Sequence, residues 1–414
     1  MDTVSPERLA AAVARLPGCP RVVASGNAAA PFAALHAIAA AREEWRLHML
    51  NAPPGIPDGP GVRLETAFVG AGMRDHPNLD YVPSRLSLVP PLFRETRPPD
   101  VVVVHTSRPR GGKVSLGCEV NVLPAAIEAC RARGGLVVAQ LNEHMPYTYG
   151  DGEVDVDDVD LAVEADAPLP PPHAREADDT SREIAARVAS LVREGATLQM
   201  GIGAVPDAVL ASVAVEGLRV WSEMFSDGVL DLERRGLLDP DVPVTASFCF
   251  GTPELLAWAD RNPRVRMLRT EKANDPGRIA RQPLMTSVNT AMQVDLYAQA
   301  NASYRRGRIY SGFGGQTDFI VGALHAPGGR AVVALPSWHP RTNTSTVVPR
   351  LAQPSTSFQH SHIVSEHGCA RIWGSTATEQ ARDLVDVVAD PRAREELRAA
   401  ATNLGLRGQA GQAG

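Results

Sequence analysis

Val101-Val-Val-Val104 and, after an alanine-rich stretch, Leu136-Val-Val-Ala-Gln-Leu141 are the residues on which the fold turns. Uninterrupted apolar runs of this length suit a strand buried on both faces, the situation of a strand inside a parallel sheet. Residues 123–132, which lie between them, have the composition of a helix, so the three segments read strand, helix, strand. Upstream, residues 21–25 (RVVAS) read as a further strand and residues 31–42 as the helix after it. This alternation implies an α/β layered domain with a mainly parallel sheet.

The rhythm stops at residues 167–178, where Pro168, Pro170, Pro171 and Pro172 stand among polar residues and no regular element is expected. A helix start follows, read from Thr180 and Glu183 at capping-box spacing. Its apolar face is Ile184, Val188, Leu191 and Val192, and Gly195 ends it. Strands are then expected at 197–200, 218–222, 242–250, 331–335 and 362–365, and helices at 206–213, 253–262 and 376–389. A chain of 414 residues exceeds one ordinary core, so two α/β domains are expected, residues 1–178 and residues 179–414.

Composition narrows the function. A formal net charge of −6 gives no support for nucleic-acid binding or a membrane-surface role. No apolar run is long enough to span a bilayer, and residues 1–12 lack a signal-peptide core, so the expected compartment is the cytoplasm. The five cysteines are scattered and never in CxxC spacing, which argues against a disulfide framework or a zinc ribbon. His360 and His362 share one face of an expected strand, with Glu366 and His367 close by. No distant ligand completes the set, so no metal site is expected. Lys113 and Lys272 are the only lysines, which leaves arginine to meet any anionic ligand.

Three segments could carry chemistry. Gly201-Ile-Gly-Ala-Val-Pro206 lies between a strand and a helix, and is either a plain tight turn or a loop whose backbone approaches an anion. It is not a dinucleotide fingerprint, because proline stands where the third glycine would be. Glu223, in Trp221-Ser-Glu-Met-Phe-Ser-Asp-Gly228, is placed at the C-terminal end of an expected strand, the edge of an α/β sheet where ligands bind. It is either a surface or capping acid, or a nucleophile or base. Tyr310-Ser-Gly-Phe-Gly-Gly-Gln-Thr-Asp-Phe319 is either a surface turn or a glycine loop whose N–H groups converge on an oxyanion. Asn142-Glu-His-Met-Pro146 lines a cleft or caps the sheet.

In order along the chain, NEHMPYTYG (142–150), QMGIGAVPDAVL (199–210), SEMFSDGVLDL (222–232), SVNTAMQVDLYAQ (287–299), SGFGGQTDF (311–319) and SEHG (365–368) resemble the acetyl-CoA hydrolase/transferase family. The resemblance implies two similar open α/β domains with the active site in the cleft between them. It implies an enzyme that transfers coenzyme A from an acyl-CoA to a small carboxylic acid, of the 4-hydroxybutyrate/acetate type, through a glutamyl-CoA thioester on Glu223. Carried over by position, Gly201, Ile202, Gly203, Ala204 and Val205 would cradle CoA. Met292, Ser311, Gly314 and Gly315 would border the thioester, with the Gly315 N–H as oxyanion donor. Coenzyme A is then a co-substrate, no cofactor is permanently bound, and the family suggests a homodimer.

Many members carry a CoA-contacting lysine in a segment that reads here Ser337-Trp-His-Pro-Arg-Thr342, where Arg341 is the candidate replacement. Arg305, Arg306 and Arg308 are further candidate phosphate partners. Tyr147, Tyr149 and Trp338 look bulkier than usual and suggest an uncommon acyl group. The rival activities are an acyl-CoA hydrolase of the same fold, a non-catalytic CoA or sugar-phosphate sensor and, by fold-level analogy alone, a sugar-phosphate isomerase.

Overall fold

A computed structural model describes residues 1–171, 177–201, 203–353, 355 and 359–406. Its first sheet has eight strands, all parallel, every one of them within residues 2–164. The order across it is Asp2–Thr3, Leu161–Glu164, Leu136–Leu141, Val101–Thr106, Arg21–Ala24, Trp45–His48, Val62–Thr66 and Leu79–Tyr81. The valine run sits near the centre, as its two-sided burial demands. Val101 and Val103 face a core with Leu35, Ile38 and Trp45, whereas Val102 and Val104 face a different core on the other side.

The second sheet is assembled from residues 197–371 and is mainly parallel. Thr197–Met200, Thr286–Thr290, Arg330–Ala334 and His362–Val364 form its centre, and Cys369–Arg371 closes one edge antiparallel. Its strands obey the same period of two. Ala331 and Val333 pack into a core of their own lobe, while Val332 and Ala334 join the core that holds Val102 and Val104. The two sheets therefore share a middle apolar layer, each keeping a private layer on its outer face. A separate three-stranded sheet joins the two halves of the chain, since Tyr149–Gly150 pairs with Val265–Met267, which pairs with Val244–Ala246.

Local starts and stops differ from the sequence reading in informative places. The helix after the proline-rich stretch is Asp179–Ala189, and its cap is Asp178, whose side chain accepts the Ser181 N–H at 2.8 Å, not Thr180. An aspartate is at least as good a cap as threonine, so the earlier residue takes the role. The strand expected at 218–222 shrinks to Arg219–Val220, because the Ser222 N–H turns to the Thr245 carbonyl. The expected strand 242–250 divides into Val244–Ala246 and Phe248–Cys249, which join different sheets. Helix 376–389 has the capping box of Thr376 and Glu379 and ends in a π-helical turn at Leu384–Val388. Of the proline-rich stretch, residues 172–176 lie outside the described residues, and the described remainder before Asp179 has no regular element.

Candidate active site

Glu223 sits in the bend between two short strands. Arg219–Val220 runs parallel to Thr197–Met200, and Met224–Phe225 then lies antiparallel to the same strand at Met200. Ser222 and Glu223 make the reversal, and the Glu223 carbonyl is fixed by N–H groups of Ser247 and Phe248 at 2.9 and 3.1 Å. The sequence reading placed Glu223 at the end of a longer buried strand. The structure places it in this bend, which projects the carboxylate into a cavity of about 280 Å³.

The cavity draws walls from both halves of the chain. Residues before 178 give Asn27, Leu50, Asn51, Phe68, Leu86 and Asn121. Residues after it give Glu223 with Gln199, Gly201, Phe248, Asn289 and the loop Ser311 to Gln316. Parallel strands explain the first group. Asn27, Asn51 and Phe68 follow the C-terminal ends of Arg21–Ala24, Trp45–His48 and Val62–Thr66, the end of a parallel sheet where ligands sit. Asn27 and Asn51 have φ of 47° and 46°, a left-handed conformation that asparagine tolerates well.

Two groups grip the nucleophile candidate. Asn274, itself fully buried, donates from Nδ2 to Glu223 Oε2 at 3.0 Å, and the Gly315 backbone N–H also bonds the carboxylate. Gly315 must lack a side chain, since a Cβ there would fall 1.7 Å from that same oxygen and 2.3 Å from Asn274 Nδ2. Gly315 also precedes the helix Gln316–His325, so the carboxylate meets the positive end of a helix dipole. Despite these donors, burial pushes the Glu223 carboxyl up to about 7, and the Asp318 carboxylate nearby adds to the effect.

Two further acids surround it. Burial pushes Asp318 up to about 6 against the pull of Ser87, whose Oγ donates at 2.7 Å, of Arg85 at 3.7 Å and of Asn274. Glu119 is pushed up to about 7 by burial, although Asn27 donates to both its oxygens at 2.9 and 2.8 Å and Asn121 donates at 2.6 Å. Glu223 raises it further by its own charge. Asn51 in turn donates to Asn27 at 2.7 Å, so a chain of amides leads from the cavity wall to this buried acid. Of the three lifted acids only Glu223 lines the cavity, with Glu119 and Asp318 buried behind its wall, and a raised carboxyl in a cleft is the pattern of a candidate chemical site.

Of the residues singled out from sequence, Glu223, Gly201, Ser311, Gly314 and Gly315 line the cavity. Ile202 lies outside the described residues. Gly203 has φ of 124° and precedes the helix Ala204–Ser212, within which Pro206, not Ala204 or Val205, reaches the cavity wall. Met292 and Arg341 are not among the lining residues. Met292 donates its N–H to Asn301, and Arg341 is exposed in the turn between Trp338–His339 and Thr344–Ser345. Arg305, Arg306 and Arg308 belong to the hairpin Tyr304–Arg305 and Arg308–Ile309, with Arg308 paired to Asp75 at 3.5 Å.

The three aromatic residues are not cavity residues. Tyr147 donates its hydroxyl to Glu153 at 2.9 Å and meets Tyr149 edge to face, and Trp338 carries the Arg392 guanidinium at 3.8 Å. Asn142 caps its strand, accepting the His144 N–H at 3.0 Å and donating to the Ala167 carbonyl at 2.7 Å. Glu366 binds the Ser337 N–H rather than a metal, and among the described residues no cluster of His, Cys, Asp or Glu could hold one. Sequence reasoning missed Asn27, Asn51, Asn121, Glu119 and Asn274. An asparagine one to three residues beyond a buried strand was the available signal for the first two.

An α/β enzyme of two mainly parallel sheets, with an acid held by an amide and a glycine N–H in a cavity lined from both halves of the chain, is the class that fold and site define. Residues 251–401 match the family model for the acetyl-CoA hydrolase/transferase C-terminal domain. The 4-hydroxybutyrate coenzyme A transferase of Clostridium kluyveri is 35% identical over 351 residues, covering 81% of each chain. RipA from Yersinia pestis superposes with a TM-score of 0.90 at 27% identity, over 98% of each chain. A 4-hydroxybutyrate CoA-transferase from Porphyromonas gingivalis gives 0.82 at 28% identity, over 97% of this chain and 98% of its own. The chain belongs to the acetyl-CoA hydrolase/transferase family and is an enzyme of that group. Among the described residues no helix is long and apolar enough to cross a membrane.

Proposed function

We propose that this enzyme transfers coenzyme A from an acyl-CoA to a small carboxylic acid, of the 4-hydroxybutyrate/acetate type, with Glu223 as the covalent nucleophile. The observation that carries the proposal is the asymmetric grip on that carboxylate. Asn274 donates to Oε2, the Gly315 N–H also bonds the carboxylate, and Oε2 occupies the space that a side chain at Gly315 would need. Oε1 is then the oxygen to attack.

In the first step Oε1 adds to the thioester carbonyl and the C–S bond breaks, giving a mixed anhydride and CoA thiolate. The thiolate adds to the glutamyl carbonyl, whose oxygen is Oε2, and the anhydride C–O bond breaks to release the first carboxylate. A glutamyl-CoA thioester remains. In each addition to the glutamyl carbon negative charge develops on Oε2, where the Asn274 amide already points, with the Gly315 N–H proposed as the second donor. An acceptor carboxylate reverses the sequence. A cavity of about 280 Å³ suits an acyl group and its thioester, with most of CoA lying outside. Gly201, Gly203, the start of the helix Ala204–Ser212 and the arginines at 305, 306, 308 and 341 are proposed to meet its phosphates.

Incubating the enzyme with an acyl-CoA, with and without acetate, tests the reading. Acetyl-CoA formed only when acetate is present supports exchange. Free CoA formed at the same rate without acetate makes the enzyme the acyl-CoA hydrolase, in which water takes the same thioester. A sensor would do neither, and it has no use for an acid gripped in this way. Division into lobes at residue 178, a homodimer in solution and residence in the cytoplasm belong to the same proposal, and light scattering giving 44 kDa would remove the dimer.

A further inference from the structure

At the opposite ends of the strands that carry Asn27, Asn51 and Phe68, the first sheet presents a second cavity, of about 450 Å³, lined by Arg21, Arg46, Arg63, Arg97, Glu65 and Asp80 among others. Its floor is unusual for a sheet. Arg21 pairs in register with Arg46, and Arg46 with Arg63, so three arginines stand side by side on adjacent parallel strands. Residues in register share a face, and the next positions, Val22, Leu47 and Leu64, are buried on the other one. Like charges directly opposite one another destabilise a sheet, so such a row needs compensating negative charge.

The protein supplies only part of it. Glu65, with a side chain 3% exposed, takes Arg21 at 2.7 Å and Arg97 at 3.1 Å, and stands 3.9 Å from Arg46. Asp100 is turned to the backbone N–H of Arg21 at 2.8 Å. Among the described residues neither Arg63 nor Asp80 has an ion-pair partner. Four guanidiniums thus face two carboxylates in the lining, and the forks of Arg46 and Arg63 keep free donors at the open side. Guanidinium forks in a fixed row match the several oxygens of a phosphoryl group better than a single carboxylate does.

We propose that this groove is a binding site for a small phosphate-bearing anion, held by Arg46, Arg63 and Arg97 and separate from the catalytic cavity. It does not depend on the reaction proposed for Glu223, since the ligand is read by direct binding. The test is calorimetric titration of the whole enzyme with inorganic pyrophosphate at constant ionic strength, with coenzyme A present to occupy its own site. Wild type should show one saturable site. Arg46→Gln/Arg63→Gln should weaken it at least about tenfold while retaining CoA exchange, because neither residue reaches the catalytic cavity. Arg382→Gln/Arg398→Gln, the same charge change on a remote face, should leave it intact. Arg63→Gln alone, which removes no ion pair, covers the case in which the double variant melts early, and it should also weaken binding. Absence of saturable binding in wild type, or equal affinity in wild type and the groove variants, overturns the proposal.

Discussion

The two walls of the catalytic cavity are built alike and equipped differently. Each lies at the C-terminal edge of the parallel strands of its sheet, and each shares the middle apolar layer. The wall from the first sheet offers neutral amides and apolar groups, Asn27, Asn51, Asn121, Leu50 and Phe68, backed by one buried acid, Glu119. The wall from the second sheet offers the carboxylate of Glu223 and the donors aimed at it. Under the proposed reaction, the first wall shapes the ligand and the second reacts with it. The reason lies in the loops after the strands: on the second wall the bend at Ser222–Glu223 faces a glycine loop that starts a helix.

If this division is right, the largest effect belongs to the second wall. Glu223→Ala should reduce CoA exchange by at least about 10⁴-fold, as for removal of a nucleophile, with the melting temperature little changed. Glu223→Asp keeps the charge but withdraws the oxygen, so a large loss is expected there too. With wild type and acyl-CoA alone, mass spectrometry should find CoA on the peptide containing Glu223, and borohydride should convert that residue to an alcohol and end activity. Exchange at the wild-type rate in Glu223→Ala would refute the nucleophile. Other acids of the second half are engaged elsewhere: Glu254 with Arg234, Glu271 with Arg269 and Glu366 with Ser337.

Gly315→Ala comes next. Its Cβ would overlap Glu223 Oε2, displacing the carboxylate from its donors, and a loss of about 10²–10³-fold is expected, the scale for an oxyanion donor. A fall in rate matched by an equal fall in melting temperature of a broadly unfolded protein would instead make the glycine a folding requirement.

The scaffold was legible where burial is two-sided and local. Val101–Thr106 and Leu136–Leu141 lie where the valine-rich runs put them, because a continuous apolar run admits few other environments. Glu223 was legible as a residue but not in its setting: whether residues 218–222 stay extended depends on the Thr245 carbonyl, 23 residues from Ser222, and no periodicity carries that. Asn274 and Glu119 were invisible for the same reason, since each acts on the site across long separations in sequence. The aromatics at 147, 149 and 338 misled because size was read without direction, and their side chains pack on Glu153, on each other and on Arg392.

Asn274 gives a third prediction with a sign. Acylation requires an ionised Glu223, so single-turnover CoA release should rise with pH through about 7 and then level off. The Asn274 hydrogen bond favours the ionised form, so Asn274→Ala should lower the plateau about tenfold to a hundredfold and move the midpoint upward. A midpoint that stays in place would separate Asn274 from the ionisation of the nucleophile.

The smallest effect expected joins the two walls. Glu119 belongs to the first, pairs through its backbone with Phe248, and is raised by the charge of Glu223; coupling between two charges is mutual, so a charge on Glu119 should in turn oppose ionisation of Glu223. Glu119→Gln removes that charge and keeps most of the shape, although one of the Asn27 and Asn121 donors then meets an NH₂ group. A neutral neighbour eases ionisation of Glu223, so the midpoint of acylation should move down, by about half a unit to one unit. The plateau at high pH should change by less than about tenfold, because no donor to Glu223 is lost. Glu119→Asp, which restores the charge, should return the midpoint towards wild type. A midpoint that moves up, or the same profile in Glu119→Gln and wild type, would mean that the first wall shapes the ligand and has no part in the ionisation of the second.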